Sequence, residues 1–219
     1  RVPLARGLGS SAAARVAALV AANRCAGDPF AREELLQFAV EAEGHPDNVA
    51  PALLGGLAVC GADGDRAVAK RIEPKPGLRV VLLIPERKLS TEEARRALPK
   101  EVPLRDAVAN LQNTALTALA FATGDYPLLK SSLSDRLHQP YRAPLMPGFL
   151  AALEAARDSG ALGAALSGAG PTIAAFALGP FDPVKEAMKV AFEDAGGGAN
   201  RVVALDVNLR GAEIEALSG

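Results

Sequence analysis

Apolar and polar residues recur along the chain with two periods, and each period predicts a different kind of element. A recurrence every three to four residues predicts helices over residues 10–25, 33–43, 91–98, 105–123, 127–133, 147–157 and 182–195. Short apolar or alternating runs predict strands over residues 57–60, 68–72, 79–84, 161–167, 172–178 and 201–207. The stretch from Gly44 to Pro51 is rich in Pro, Asp and Asn, and is predicted to be a loop.

The order of these elements indicates a fold class. From residue 80 to residue 207 it reads strand, helix, strand, strand, helix, strand, when the helices before Leu162 are counted as one layer. This order suits a split β-α-β arrangement, in which helices cover one face of an antiparallel sheet. The pattern therefore places the chain in the α+β class.

Length and composition exclude several kinds of protein. The chain has 219 residues, enough for one large domain or two small ones with a sizeable core. Its 24 basic and 25 acidic residues give a formal net charge of −1, so no nucleic-acid partner is indicated. No apolar run approaches the roughly 18 residues of a membrane span. Cys25 and Cys60 lie in apolar contexts, and we interpret them as reduced core residues of a cytoplasmic protein.

The stretch from Pro3 to Ala12 carries the first candidate chemistry. Gly7 and Gly9 permit a tight turn, and Ser10 is predicted to cap the helix that follows. The first-turn amides of that helix have no acceptor within it, and its dipole favours an anion there, with phosphate as the first guess. Ser11 could turn its hydroxyl toward a metal ion carried by the phosphate. The alternative is a glycine turn that binds nothing, and the stretch matches neither the P-loop nor the dinucleotide fingerprint.

Three further stretches carry polar chemistry, each with a plainer alternative. Glu41 and Glu43 could supply a carboxylate for Mg²⁺, or could simply be a solvated helix end. The second glycine turn, residues 167–172, could approach a ligand closely or be an ordinary turn between strands. Arg142, which follows Pro140-Tyr141, is typical of a loop-held carboxylate clamp, whereas Arg95 has a surface ion-pair alternative on its helix.

Together these stretches resemble the homoserine kinases, a branch of the GHMP kinase family. The matching stretches occur in the family's order and span most of the chain: residues 7–13, 43–51 with Gly55-Gly56, 90–95, 139–142 and 166–172. The resemblance implies a two-domain fold, with the remainder of an S5-like, ATP-binding N-terminal domain over residues 1–75 and a ferredoxin-like C-terminal domain over residues 76–219. It also implies a strand-rich segment before the phosphate loop, so the sequence reads as one that begins within a domain.

The resemblance further implies transfer of the γ-phosphoryl group of MgATP to L-homoserine, with ATP and Mg²⁺ as cofactors. Ser11 and Glu43 would hold Mg²⁺ and, with Asn48, form the catalytic set; Glu43 is preferred to Glu41 because it stands beside Gly44-His45. The homoserine would face Asn48, Thr91, Arg95 and Arg142. The nucleotide would face Pro3, Arg6, Gly7, Leu8, Gly9, Ser10, Ser11, Ala12, Gly168 and Gly170.

No general base is assigned, because phosphoryl transfer needs alignment and charge neutralisation more than covalent help. Members of the family are thought to work without a dedicated catalytic aspartate, and His45 is expected to stabilise its own loop. Two other functions stay open: another GHMP small-molecule kinase of the mevalonate kinase type, and a non-catalytic fragment that only binds nucleotide. The resemblance also leaves a homodimer open.

Overall fold

The computed structural model describes residues 2–215 and resolves their contacts into two compact units. The first unit contains residues 2–4, Gly9–Pro74 and 207–215, and the second contains Ala5–Leu8 and Lys75–Asp206. The predicted division into residues 1–75 and 76–219 is contiguous in sequence, whereas each unit is built from separate segments. That domain division therefore stays a prediction.

The first unit consists of three helices and a two-stranded sheet, bounded as follows: α1 Ser10–Cys25, α2 Arg32–Glu43, α3 Pro46–Leu54, β1 Leu57–Asp63 and β2 Arg66–Ile72. The strands form an antiparallel hairpin with Leu57 opposite Ile72 and Asp63 opposite Arg66, which confirms the predicted pair and extends it. The core of the unit lies among the helices: Ala12, Val16, Leu35, Leu36, Ala39, Val49, Ala50 and Leu53 are all buried.

The segment 207–215 completes the first unit. The backbone amide of Gly56 donates to the carbonyl of Asn208 at 2.7 Å, and Arg71 donates to the carbonyl of Leu209 at 2.9 Å. Arg32 donates to the carbonyl of Ala212, also at 2.9 Å. The last described residues are therefore held by the hairpin and by α2, which lie far away in sequence.

The predicted loop over residues 44–51 is wrong, because most of it is helix α3. Pro46 occupies the first turn, where its missing N–H has no helical acceptor to lose. Pro51 lies inside the helix, at the cost of one backbone hydrogen bond. Burial of Val49, Ala50 and Leu53 outweighs that cost and holds the helix in place.

The second unit is built on a four-stranded antiparallel sheet. Its strands are β3 Arg79–Pro85, β4 Gly163–Leu166, β5 Ile173–Ala177 and β6 Asn200–Asp206, in the spatial order β4-β5-β3-β6. Its helices are α4 Thr91–Arg96, α5 Leu104–Thr123, α6 Leu129–Ser132, α7 Gln139–Arg142, α8 Phe149–Asp158 and α9 Phe181–Asp194, with 3₁₀ turns at Tyr126–Leu128 and Ala143–Leu145. This order confirms the split β-α-β arrangement and the α+β class.

Helices lie on both faces of this sheet, not on one. Residues of α8 and α9 share a core cluster with Val81, Leu83 and Ala175 of the strands. Phe176 follows Ala175 along β5 and therefore points to the opposite face. There its ring centroid lies 5.4 Å from that of Phe121 on α5. The predicted single layer on one face therefore does not include α5.

Three smaller expectations also need correction. Ser10 does not cap α1; it is the first helical residue, and Gly9 occupies the cap position. Pro147 lies outside α8, which begins after Gly148, a residue with a φ of 79° that favours glycine. Cys25 is exposed and is no core residue, although both cysteines are free thiols as expected.

Within the described part of the chain, no helix is both long and apolar enough to cross a bilayer.

Candidate functional site

The N-terminus of α1 has the features of an anion site. Gly9 caps the helix in the left-handed conformation, with a φ of 67° and a ψ of 29°, and no capping side chain accepts a hydrogen bond from the first-turn amides. The first turn also carries no acidic residue. Because these amides have no helical acceptor and the helix dipole is positive there, the end can accept a phosphate. Ala12 is fully buried in the core, so it can act there only through its amide.

Asn48 lies against this helix end. A Cβ atom placed on Gly9 would lie 3.2 Å from Oδ1 of Asn48, so the structure brings these two predicted site residues together. Nδ2 of Asn48 donates to Oδ1 of Asp47 at 3.3 Å, and Nδ1 of His45 lies 2.5 Å from the same oxygen. The carboxylate of Asp47 therefore lies between Asn48 on α3 and His45, the residue that precedes α3.

Ser11 and Glu43, the predicted metal ligands, are hydrogen-bonded. Oγ of Ser11 donates to Oε2 of Glu43 at 3.1 Å, and the Glu43 side chain is only 10% exposed. Glu41 is exposed, so the geometry favours Glu43. Arg15, which the sequence reasoning missed, donates through one guanidinium nitrogen to both Ser11 and Glu43.

The donor set of this cluster fits magnesium. A hydroxyl and a carboxylate are hard oxygen donors, and Mg²⁺ is usually held by one or two carboxylates, with phosphates and waters as its other ligands. Among residues 2–215 no cluster of three or more His, Cys, Asp or Glu residues could hold a metal ion by itself. A cation at Ser11 and Glu43 would therefore share its coordination with a ligand such as nucleotide phosphate.

In the second unit, the glycine turn that contains Gly7 packs on the glycine turn of residues 167–172. Oγ of Ser167 donates to the carbonyl of Gly7 at 2.7 Å, and the amide of Thr172 donates to the carbonyl of Arg6 at 3.3 Å. A Cβ on Gly7, whose φ is 70°, would lie 2.7 Å from the carbonyl oxygen of Gly170. Close backbone approach therefore requires glycine at this position. The Arg6 guanidinium donates to the carbonyl of Glu86 at 2.5 Å.

Arg142 lies on the short helix α7, not in the predicted loop, and its guanidinium is held by backbone. Nε donates to the carbonyl of Ala94 at 3.1 Å and NH1 to the carbonyl of Gly168 at 3.3 Å, with the residue only 9% exposed. Burial lowers the pKa of Arg142, Asp135 opposes that shift, and the positive charge of Arg95 adds to it. Arg95 and Arg142 are thus close enough to repel, and an anion such as a carboxylate would relieve the repulsion.

Two residues that the sequence reasoning missed support α7. Asp135 accepts from the side chain of Asn110 and from the backbone amides of residues 137–139. Nδ1 of His138 lies 3.2 Å from NH1 of Arg142, and because arginine only donates, Nδ1 accepts and the ring proton is on Nε2. Burial lowers the pKa of His138, Asp135 opposes that shift and Arg142 adds to it. His138 is therefore neutral at neutral pH.

The other predicted site residues divide between the two units. Ser10 begins α1 in the first unit, and Pro3, also there, is exposed. Leu8 is half-buried and belongs to the second unit. Thr91 is the exposed first residue of α4, the helix that also carries Arg95.

Comparison with known proteins gives matches over most of the chain. The family model for the GHMP kinases N terminal domain matches residues 1–56, and that for the GHMP kinases C terminal region matches residues 115–194. The chain is 49% identical to the homoserine kinase of Moorella thermoacetica over 195 residues, which are 89% of this chain and 66% of that protein. It is 51% identical to the homoserine kinase of Carboxydothermus hydrogenoformans over 177 residues, 81% of this chain and 58% of that protein.

A solved structure is similar too. The crystal structure of homoserine kinase from Cytophaga hutchinsonii superposes with a TM-score of 0.88 at 34% identity, over 96% of this chain and 69% of that one. The chain spans less than two thirds of the length of the Moorella and Carboxydothermus relatives, at 66% and 58%.

Proposed function

Because the chain belongs to the homoserine kinases of the GHMP kinase family, we propose that it transfers the γ-phosphoryl group of ATP to the side-chain hydroxyl of L-homoserine, giving O-phospho-L-homoserine for threonine biosynthesis. The observation that carries the proposal is the pairing of Ser11 with the nearly buried Glu43 at the glycine-capped start of α1. A free helix end for phosphate and hard oxygens for a divalent cation are what phosphoryl transfer requires.

The nucleotide contacts are backbone contacts for the most part. The amides of Gly7 to Ala12 would bind phosphate oxygens, and the turn containing Gly168 and Gly170 would contact the nucleotide. Ser11 and Glu43 would hold Mg²⁺, which when bound would neutralise charge on the transferred phosphoryl group. Pro3, Leu8 and Ser10 would shape the loop. Arg6 would join the phosphate contacts, and its NH2 supports the loop by donating to the carbonyl of Glu86.

The amino acid would be recognised through its carboxylate. Arg142 is buried and fixed by two carbonyls, so little side-chain entropy remains to be lost on binding. Arg95 adds a second positive charge, and a carboxylate would stabilise both. Thr91 and Asn48 complete the proposed substrate contacts.

Catalysis would rest on alignment and charge neutralisation. Asp47, the neighbour of Asn48 in sequence, accepts a hydrogen bond from Asn48 and lies beside His45, which supports a mechanism without a dedicated base. As the substrate oxygen bonds to the γ-phosphorus, the bond from that phosphorus to the β–γ bridging oxygen would break and ADP would leave, and the hydroxyl proton would pass to an oxygen of the transferred phosphoryl group.

The test is ADP release from MgATP with L-homoserine, mevalonate or L-serine as acceptor. We expect turnover with homoserine alone. Arg142→Ala should raise the KM for homoserine about 10- to 100-fold, since charged hydrogen bonds contribute about 1.5–3 kcal/mol, with a smaller change in kcat. Arg136→Ala, an exposed arginine paired with Asp106, should behave as the wild type. Turnover of mevalonate would favour the mevalonate kinase type, and nucleotide binding without any turnover would favour a non-catalytic protein.

Assembly, domain division and location belong to the same proposal. Helix α5 exposes an apolar stripe of Leu104, Val108, Leu111 and Leu119, which supports a homodimer. Sedimentation of Leu111→Glu against the wild type tests this.

The division near residue 75 and a cytoplasmic location complete the proposal, the latter supported by two free thiols.

A further inference from the structure

Arg15 lies where a divalent cation is expected. It follows Ser11 by one helical turn on α1, and its NH1 donates both to Oγ of Ser11 and to Oε2 of Glu43. These are the two oxygens that the proposed function assigns to Mg²⁺. The Glu43 side chain is 10% exposed and that of Arg15 is 41% exposed.

The charge balance of this cluster explains the arrangement. A carboxylate as buried as that of Glu43 needs a compensating cation, and arginine is always charged. NH1 of Arg15 occupies Oγ of Ser11 and Oε2 of Glu43, so a metal ion that binds these two atoms would have to displace it. Because the arginine side chain is long and partly exposed, its guanidinium can turn out into water at small cost.

We infer that Arg15 is an internal counterion that competes with the divalent cation for Ser11 and Glu43, and that it leaves them when the metal binds. The inference rests on the proposed metal role of these two residues. Its consequence is weak metal binding in the absence of nucleotide, because the metal must first displace a cation already in place. Arg15 is thus a positioning residue, which keeps the carboxylate oriented until the metal-nucleotide complex arrives.

The same helix supplies a matched control. Arg24 pairs with Asp28, also four residues apart, and both side chains of that pair are largely exposed, at 63% and 44%. Loss of the Arg24 pair removes the same charge from the same helix without touching Ser11 or Glu43. An effect that comes only from the net charge of the protein or from a weakened α1 should therefore appear in Arg24 variants too, whereas an effect of the local contacts appears only in Arg15 variants.

The experiment is titration of the full chain with Mn²⁺ in the absence of nucleotide, followed by electron paramagnetic resonance. We expect Arg15→Gln to tighten Mn²⁺ binding about two- to fivefold, since removal of an exposed ion pair is worth up to about 1 kcal/mol. Arg24→Gln should leave the affinity as in the wild type. Equal Mn²⁺ affinity in the wild type and Arg15→Gln overturns the inference, provided that Glu43→Gln weakens binding.

A second measurement uses the wild-type chain and does not depend on a variant that folds poorly. The Nε–Hε resonance of Arg15 should shift when Mg²⁺ with ADP is added, while that of Arg24 stays in place. An unmoved Arg15 resonance at saturating Mg²⁺ and ADP overturns the inference. If Ser11→Ala and Glu43→Gln both leave Mn²⁺ affinity unchanged, the proposed metal role is itself wrong, a result distinct from failure of Arg15 to compete.

Discussion

Replacement of Asp135 by alanine should loosen the short helix α7 without removing a substrate contact. One carboxylate oxygen accepts from Nδ2 of Asn110 at 2.7 Å and from the amide of Leu137 at 3.2 Å. The other accepts from the amides of His138 at 2.8 Å and Gln139 at 2.5 Å. One side chain therefore satisfies the donors at the start of α7.

The expected loss can be worked from these contacts. A capping carboxylate replaced by alanine costs about 0.5–2 kcal/mol, and each buried donor left unpaired costs about 1–3 kcal/mol. In Asp135→Ala some of these four donors can bond to water instead, which reduces the cost. We therefore expect the substitution to lower the free energy of unfolding by about 3 kcal/mol.

The pH dependence follows from the pKa of Asp135. Burial alone would raise that pKa, but hydrogen bonds from Gln139, Asn110 and His138, with the charge of His138, lower it below its ordinary value. A carboxylate with a lowered folded-state pKa stabilises the protein fully above the unfolded pKa. That stabilisation is lost as the pH falls through the folded pKa. Asp135→Asn should therefore flatten the acid limb of the stability profile.

The assay is urea unfolding at pH 7 and at a series of acidic pH values, with the KM for homoserine measured beside it. Asp194→Ala, an exposed aspartate at the end of α9, serves as the control and should change stability by less than about 0.5 kcal/mol. The reasoning is refuted if Asp135→Ala costs no more than this control, or if Asp135→Asn keeps the acid dependence of the wild type.

Three shorter predictions concern single contacts. Burial and the charge of Arg142 lower the pKa of His138, so the neutral ring gains a proton only as the pH falls. The KM for homoserine should then rise as the pH falls below about 6.5 in the wild type but not in His138→Gln; an equal rise in both proteins contradicts this. Gly7→Ala should lower the melting temperature more than Gly27→Ala, because both have a positive φ but only the Cβ at position 7 meets backbone; equal shifts count against the close approach. Thr172→Val should hold or raise stability, up to about 1 kcal/mol, since the buried Oγ1 has no hydrogen-bond partner among residues 2–215; clear destabilisation in thermal unfolding would show that the hydroxyl is bonded.

The sequence predicted regular elements well where local signals agree. Helix α1 has the predicted bounds because an alanine-rich run is preceded by Gly9 and followed by Gly27 and Pro29. Helix α3 was missed because the effect of a proline depends on its position, and composition alone does not show that Pro46 occupies a first turn. Phe121, on the second face of the sheet, was missed because its partner is more than 50 residues away.

The candidate site likewise contains residues that local motifs identify and residues whose role only the fold shows. Local motifs identified Ser11, Glu43 and Arg142, since the chemistry of each is visible in its neighbours. The role of Arg15 depends on Glu43 from another helix, so only its spacing from Ser11 could have been noticed. Asp135 accepts from the backbone amides that lead into α7, and the signal missed was an aspartate four residues before a short Pro-containing helix.

The segment 207–215 has a consequence for biosynthesis. A nascent chain leaves the ribosome from its N-terminus, so α1, α2 and the hairpin emerge long before the residues that Arg32 and Arg71 bind. Residues of the first unit are thus translated both before and after Lys75–Asp206, which is made as one uninterrupted segment. A premature stop codon just before Val207 would leave the second unit intact, but the first unit would lose the backbone carbonyls that Arg32 and Arg71 bind.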